Sequence, residues 1–193
     1  MRAARLLFVA AACLALTACF GGPTPSTLLT LTSQAPPAAD LVRSAEAGEA
    51  VTIELPVLAE ELDQVRVPAL EGPGQVTYVQ DLQWVDRPNR MFQQLLTETV
   101  KRTTGRVVLD PKQAGFDPGV RVTGRLDRFG YDAQLGQVVV IYDAALSTAG
   151  GTRVQTRRFQ ASAPADGTAA TVGPALNQAA NAVALQAASW IGG

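Results

Sequence analysis

Apolar and polar residues alternate along much of the chain, and a period of two marks strands with one wet face. Thr27-Leu28-Leu29-Thr30-Leu31-Thr32 has strand composition. Val51-Thr52-Ile53-Glu54-Leu55 alternates and ends at Pro56. Val65-Arg66-Val67 predicts a short strand stopped by Pro68, Leu70 to Gly74 a turn, and Gln75 to Gln80 a second strand with Val76 and Tyr78 on one side. The pair reads as a hairpin, closed by Trp84. Further on, Val120, Val122 and Leu126 alternate around Gly124, and Val138, Val140, Tyr142, Ala144 and Leu146 alternate without a break. Thr152 to Ala163 carries Val154 and Phe159 at an odd offset, which predicts a bulge near Arg157-Arg158. Ala149-Gly150-Gly151 reads as the turn before it.

Two stretches change period to 3.6. Pro88 suits a first helical turn, where no amide donor is needed. Met91, Phe92, Leu95, Leu96 and Val100 then form one apolar face, Glu98 can pair with Arg102, and Gly105 ends the helix before a strand over Arg106 to Leu109. Pro174 to Ile191 predicts an Ala-rich helix with Leu176, Ala180, Val183, Ala187 and Trp190 on one stripe. Ser33 to Ala50, with Pro36-Pro37 and Gly48, reads as a loop. The expected fold class is α+β: an antiparallel or mixed β-sheet with hairpins, packed against two main α-helices in a single domain over 27–193.

The amino-terminal end has a different logic. Arg2 and Arg5 precede an apolar run from Leu6 to Leu16, which is long enough for a secretory signal and too short to span a bilayer. Leu16-Thr17-Ala18-Cys19 follows, the lipobox pattern of bacterial lipoproteins. A thiol at that depth can take diacylglycerol in thioether linkage. Small residues at Thr17 and Ala18 let a peptidase cut between Ala18 and Cys19, and the new amino terminus can be acylated in turn. Several acyl chains on one residue give stable anchoring, where one would be marginal. The expectation is therefore a lipoprotein signal peptide over 1–18, then lipidated Cys19 and a tether to Ser26, rich in Gly and Pro. Phe20, rather than an Asp, follows the cysteine; by the sorting rule of enterobacterial lipoproteins this points to the outer membrane, facing the periplasm, with the periplasmic face of the inner membrane as the alternative.

Composition narrows the chemistry. The formal net charge is −1, and loss of Arg2 and Arg5 would make it −3, too little to suggest nucleic acid as a partner. There is no histidine, the commonest general base and metal ligand. After cleavage Cys19 would be the sole cysteine, so no disulfide is expected. Asp81 with Asp86, and Glu60 with Glu61 and Asp63, are the acidic groupings; in turns beside strands, such carboxylates are solvated or capping groups. No catalytic residue, metal site or cofactor is expected beyond the diacylglycerol and N-acyl lipid on Cys19.

Leu55-Pro56, Leu62-Asp63-Gln64-Val65, Val76-Thr77-Tyr78, Trp84 with its helix, and a V-x-V-x-G-x-L-x-x-F run from Val120 to Phe129 come in a familiar order. Together with the lipobox and the C-terminal helix they resemble the ABC-type transport auxiliary lipoproteins, the family that includes paraquat-inducible protein C. Gln83 stands before Trp84 where that family commonly has an Arg, and Val85-Asp86-Arg87-Pro88 replaces its usual Ala-Glu-Pro-Leu type segment. The resemblance implies a non-enzymatic partner of MCE-domain proteins, whose rings or tubes conduct lipid under the drive of an ABC transporter. The lipoprotein would seat or receive the conduit at the outer membrane. A lipid carrier holding an acyl chain between sheet and helices is a second reading, and an assembly lipoprotein for an outer-membrane exporter a third.

Two features are candidates for partner contact. Trp84 and Tyr78 could anchor an interface, or Trp84 could cap the core. From Gly167 to Gly193 there is no charged residue, and depletion of charge is an interface signature. Asn177, Gln178, Asn181 and Ser189, with Leu185 beside them, then form a face for an MCE protein or a second copy, and Asn181→Arg would break that contact while sparing the fold; the alternative is a helix buried within its own domain and simply rich in Ala. Arg153, Arg157 and Arg158 read as solvent-facing residues of a strand, or as ligands for phosphate or acidic groups.

Overall fold

In a computed structural model, which describes residues 27–37, 42–113, 115 and 119–193, the alternating stretches pair into one mixed nine-stranded sheet. The strands are β1 Thr27–Leu29, β2 Val51–Ile53, β3 Val57–Leu58, β4 Arg66–Gly72, β5 Gln75–Trp84, β6 Val108–Leu109, β7 Val120–Asp132, β8 Gln137–Thr148 and β9 Arg153–Pro164. Helix α1 spans Pro88–Thr103 and α2 spans Ala169–Gly192. The fold is α+β, as the patterning implied. The signal segment, Ala18, Cys19 and the tether to Ser26 lie outside the described residues.

The antiparallel meander β7-β8-β9 forms the spine. Its register runs from Arg121↔Ser147 to Asp132↔Gln137, and from Gln137↔Pro164 to Thr148↔Arg153. Along its free edge β7 receives β2, β3 and β4 in turn, all parallel to it. The β4-β5 hairpin is antiparallel, and β1 adds to β5 in parallel.

Both helices cover one face of this spine. Phe92, Leu95, Leu96 and Val100 of α1 and Leu176, Ala180, Val183, Ala184 and Ala187 of α2 are buried. They meet Leu126, Phe129, Val140, Tyr142 and Phe159 in one core cluster. The Phe92 ring lies 5.0 Å from Tyr142 and 6.1 Å from Phe129. Each such side chain contributes about 1.5–3 kcal/mol when fully withdrawn from water. The alanines of α2 bring its backbone close to α1, β8 and β9.

Several expectations need correction. Pro68 does not stop β4; the strand continues to Gly72, because a register shift between Arg66 and Pro68 absorbs the missing donor. The hairpin turn shrinks to Pro73-Gly74. Its partner β5 runs on to Trp84 by way of Asp81, whose positive φ of 55° marks the irregularity. Of Thr27 to Thr32 only the first three residues pair as a strand.

No bulge lies near Arg157-Arg158. The β8-β9 register is unbroken, and Val154 simply faces water on the other side of the strand from Phe159. The bulge falls instead at Asp127 on β7, between Leu126 and Arg128. Helix α2 starts at Ala169, and Pro174 lies inside it. What moves the start upstream is Asp166, whose Oδ1 accepts from the Thr168 amide at 2.9 Å, from the Thr168 hydroxyl at 2.7 Å and from the Thr171 hydroxyl.

One glycine of the spine is required by close approach. A Cβ at Gly124 would stand 2.5 Å from the Asp143 carbonyl oxygen and 2.5 Å from Tyr142 Cε2. The Tyr142 ring therefore lies over Gly124. Gly124→Ala should destabilise the domain by about 1–3 kcal/mol through overpacking, read as a lower urea midpoint at unchanged m-value.

The helix cap makes a pH prediction. The hydroxyls of Thr171 and Thr168, with the Thr168 amide, hold the Asp166 carboxyl down at about 2. A carboxylate whose pKa is depressed on folding adds stability above its unfolded value, and that stability goes as pH falls through the folded value. Asp166→Ala should thus lower the urea midpoint at neutral pH, and the gap from the unaltered chain should close progressively from about pH 5 to about pH 2.

Candidate partner-facing surface

The charge-free helix α2 has two sides toward water, and the chain covers one of them itself. After β1, residues 30–37 continue as an extended strap across the helices. Asn177 Oδ1 accepts from the Thr32 amide at 2.9 Å. Asn181 donates through Nδ2 to the Thr32 carbonyl at 2.9 Å and to the Asn177 carbonyl at 2.8 Å, and its Oδ1 accepts from the Gln34 amide at 2.7 Å. Two asparagines one helical turn apart thereby stand in for a neighbouring strand. They satisfy backbone groups that would otherwise be lost on burial. Farther along, Arg102 donates to the Ala35 carbonyl at 2.9 Å while its Nε pairs with Glu98 at 2.5 Å, the helical pair expected from the sequence.

This arrangement corrects the reading of Asn181. Its side chain is buried at 8% exposure against its own strap, so an arginine there would disrupt the domain itself. Trp84 is likewise unavailable to a partner. It is 2% exposed, with its ring 5.3 Å from Phe129 and its indole N–H buried without an acceptor among the described residues. Tyr78 is held within its hairpin, between the Arg66 guanidinium at 4.0 Å and the Gln64 amide. Of the sequence-derived set, Gln178, Ser189 and Leu185 remain outside, Leu185 at 54% exposure, with Pro174 beside them. Trp190 leans on Phe159 at 5.5 Å at the rim of the core.

The acidic groupings have local roles. Asp63 pairs with Arg87 at 2.5 Å, Asp86 Oδ1 accepts from the Arg87 amide at 2.7 Å, and Asp81 sits at the β5 irregularity. No group of His, Cys, Asp and Glu that could hold a metal ion is found among the described residues. On the sheet face away from the helices, ion pairs run across the strands. Arg158 meets Asp143 at 2.6 Å and Asp127 at 3.5 Å, and Arg121 meets Glu54 at 3.1 Å. Hydrogen bonding and charge from Arg158 hold the Asp143 carboxyl below its ordinary value. At the β7-β8 tip, burial alone would raise Asp132. Arg128 at 2.7 Å and the amides of Leu135 and Gln134 outweigh it and hold the carboxyl low. These pairs order the wet face; none converges on a reaction centre.

The strap was missed in the sequence because its residues lack periodicity once β1 ends. The signal that pointed to it was Asn177 and Asn181, four apart on an otherwise apolar and Ala-rich helix.

The family model for the ABC-type transport auxiliary lipoprotein component matches residues 29–188. The chain belongs to that family, and so is an auxiliary component of ABC-type transport. No curated protein matches it by sequence. Among solved structures it is similar to protein XCC0632 from Xanthomonas campestris, of the DUF330 family, with 18% identity, a TM-score of 0.70, and coverage of 86% of this chain and 94% of that one. It is also similar to an uncharacterised protein with 13% identity and a TM-score of 0.58, covering 78% and 94% of the two chains. A third is a PelC variant from Paraburkholderia phytofirmans, solved as a dodecamer, with 11% identity and a TM-score of 0.50, covering 79% and 95%. At these identities the structures share the fold. No helix among the described residues is long and apolar enough to cross a membrane.

The strap can be tested directly. Asn181→Ala removes three hydrogen bonds and should cost about 1–3 kcal/mol. Amide hydrogen exchange at Thr32 and Gln34 should accelerate by more than exchange in β8; equal protection in both chains would contradict the assignment.

Proposed function

We propose that this chain is a non-enzymatic subunit of an MCE-type lipid transport system, anchored by acyl chains on Cys19 to the outer membrane and facing the periplasm. There it seats the conduit formed by an MCE-domain protein, which an ABC transporter drives. The observation that carries the reading is the docking of β1 on the sheet edge, with the strap fastened behind it. Strand β1 pairs with β5 from Thr27, so seven residues, Phe20 to Ser26, lie between Cys19 and the first described strand. Fully extended, that link spans no more than about 25 Å. Such a link holds a domain against the membrane as a fixed seat, whereas a domain that shuttles lipid across the periplasm needs reach.

The lipid-carrier reading has less support. The layer between sheet and helices, where an acyl chain would lie, is occupied by Phe92, Phe129, Tyr142, Leu96, Leu126 and Leu176, all fully buried. The exposed uncharged face of α2, with Pro174, Gln178, Leu185 and Ser189, is the surface offered to the MCE protein or to a second copy. One neighbour in fold, PelC, was solved as a dodecamer, and self-association about an axis would suit a ring-shaped partner.

Affinity capture of the full chain from its native envelope should recover an MCE-domain protein, and recovery without one overturns the conduit role. Cys19→Ser should abolish labelling by a palmitate analogue; equal label on the variant removes the anchor. Leu185→Arg should lower partner recovery or oligomer mass by size exclusion with light scattering, with unchanged circular dichroism.

A further inference from the structure

The spine of the sheet ends in an open edge. Strand β9 pairs with β8 over its whole length and, among the described residues, with no strand on its other side. Gln186 Nε2 donates to the Gln160 carbonyl at 3.4 Å, from the side away from β8. In an antiparallel strand the N–H and C=O of one residue point the same way, and successive residues alternate. The even-numbered residues of β9 therefore turn their backbone groups outward. Val154, Thr156 and Arg158 present three N–H and three C=O groups to water, with no backbone partner among the described residues. Upstream of Phe159 every residue of the strand is exposed. Pro164, which has no N–H, closes the far end.

Such an edge is a template for another extended chain, and its charge selects which. Arg153 and Arg157 lie on the helix-side face of β9 and form no ion pair among the described residues. Arg157 rests over the Phe159 ring at 5.3 Å, and Arg153 donates to the Gln155 amide oxygen at 3.0 Å. Arg158 stands on the opposite face, already matched by Asp143 and Asp127. Two unmatched guanidinium groups four residues apart thus flank the open backbone, in a chain whose formal net charge is −1. A second copy of the same edge would bring four unmatched arginines, Arg153 and Arg157 of each copy, onto one face, and like charges across strands are destabilising.

We infer that the β9 edge over Arg153–Arg158 is a docking site for an acidic extended segment of a partner protein, which adds as a further strand. Carboxylates four residues apart on one face of that segment would meet Arg153 and Arg157, and an apolar side chain farther along would reach the Phe159-Trp190 step. The inference rests on the proposed role as a docking subunit, and it names the chemistry of the segment that docks.

The test uses the folded chain and a fluorescein-labelled peptide of about ten residues, alternating Thr and Val with glutamates placed four apart. Its counterpart carries lysines at the same positions. Fluorescence anisotropy should show salt-dependent binding of the acidic peptide and none of the basic one, with slower amide exchange at Val154, Thr156 and Arg158. Thr156→Pro deletes an outward N–H without touching the β8 ladder, as edge strands tolerate, and should weaken binding about tenfold or more. The exposed double change Arg153→Glu and Arg157→Glu should do the same and should reverse the preference between peptides. Equal binding of both peptides, no binding, or binding unchanged in the folded variants overturns the inference. Because the probe is synthetic, such a failure leaves the transport role to its own capture experiment.

Discussion

Strand β8 is the element on which the rest of the domain depends. It is paired on both edges from Gln137 to Ser147 and buried on both faces from Val138 to Tyr142. A strand in that position has to be apolar on successive residues, and Val138-Val139-Val140-Ile141-Tyr142 is. Tyr142 then joins the layers: its ring stacks near Phe92 of α1 and passes over Gly124 of β7. Its hydroxyl finds no acceptor among the described residues, and burial pushes the phenol well above its ordinary value. An unpaired buried hydroxyl costs about 1–3 kcal/mol. The aromatic packing around it offsets that loss.

Around this spine the domain treats its two layers differently. On the wet face of the sheet, cross-strand ion pairs put charge where water can reach it. On the helix face, α2 carries none, and its polar groups are the hydroxyls of Thr171 and Ser189 and four amides. Two of those, Asn177 and Asn181, are turned inward to hold the strap, and the others stay outside. The strap thus converts part of an apparent contact face into internal structure, and what remains open is a narrower ridge around Gln178 and Leu185. Upstream of the strap, β1 is paired with β5, which holds Thr27 at the sheet edge.

The two surfaces left over, the α2 ridge and the β9 edge, have different physical character. The ridge is uncharged and built of side chains, suited to close apolar contact. The edge offers backbone donors and acceptors flanked by arginines, suited to an extended acidic chain. A subunit that both packs into an assembly and grips a segment of its partner needs one of each, and a single helix-on-sheet layer provides them on adjacent elements.

Local chemistry settled much of this in advance. The alternation in β7 and β8, Pro88 at the first turn of α1 and the Glu98-Arg102 pair all depend on residues close in sequence, and each could be read there. The family resemblance drew on the same short motifs. What sequence could not reveal were events between distant segments. The bulge went to Asp127 because β7 must keep register with both β8 and the parallel strands on its other edge. Pro68 stayed in a strand because a shift in pairing accommodated it. Asn181 became structural because Thr32 and Gln34, far away along the chain, needed donors and acceptors. The open edge of β9 exists because no later strand pairs with it in the described chain. Periodicity records which face of an element is buried; only the tertiary structure decides what lies against it.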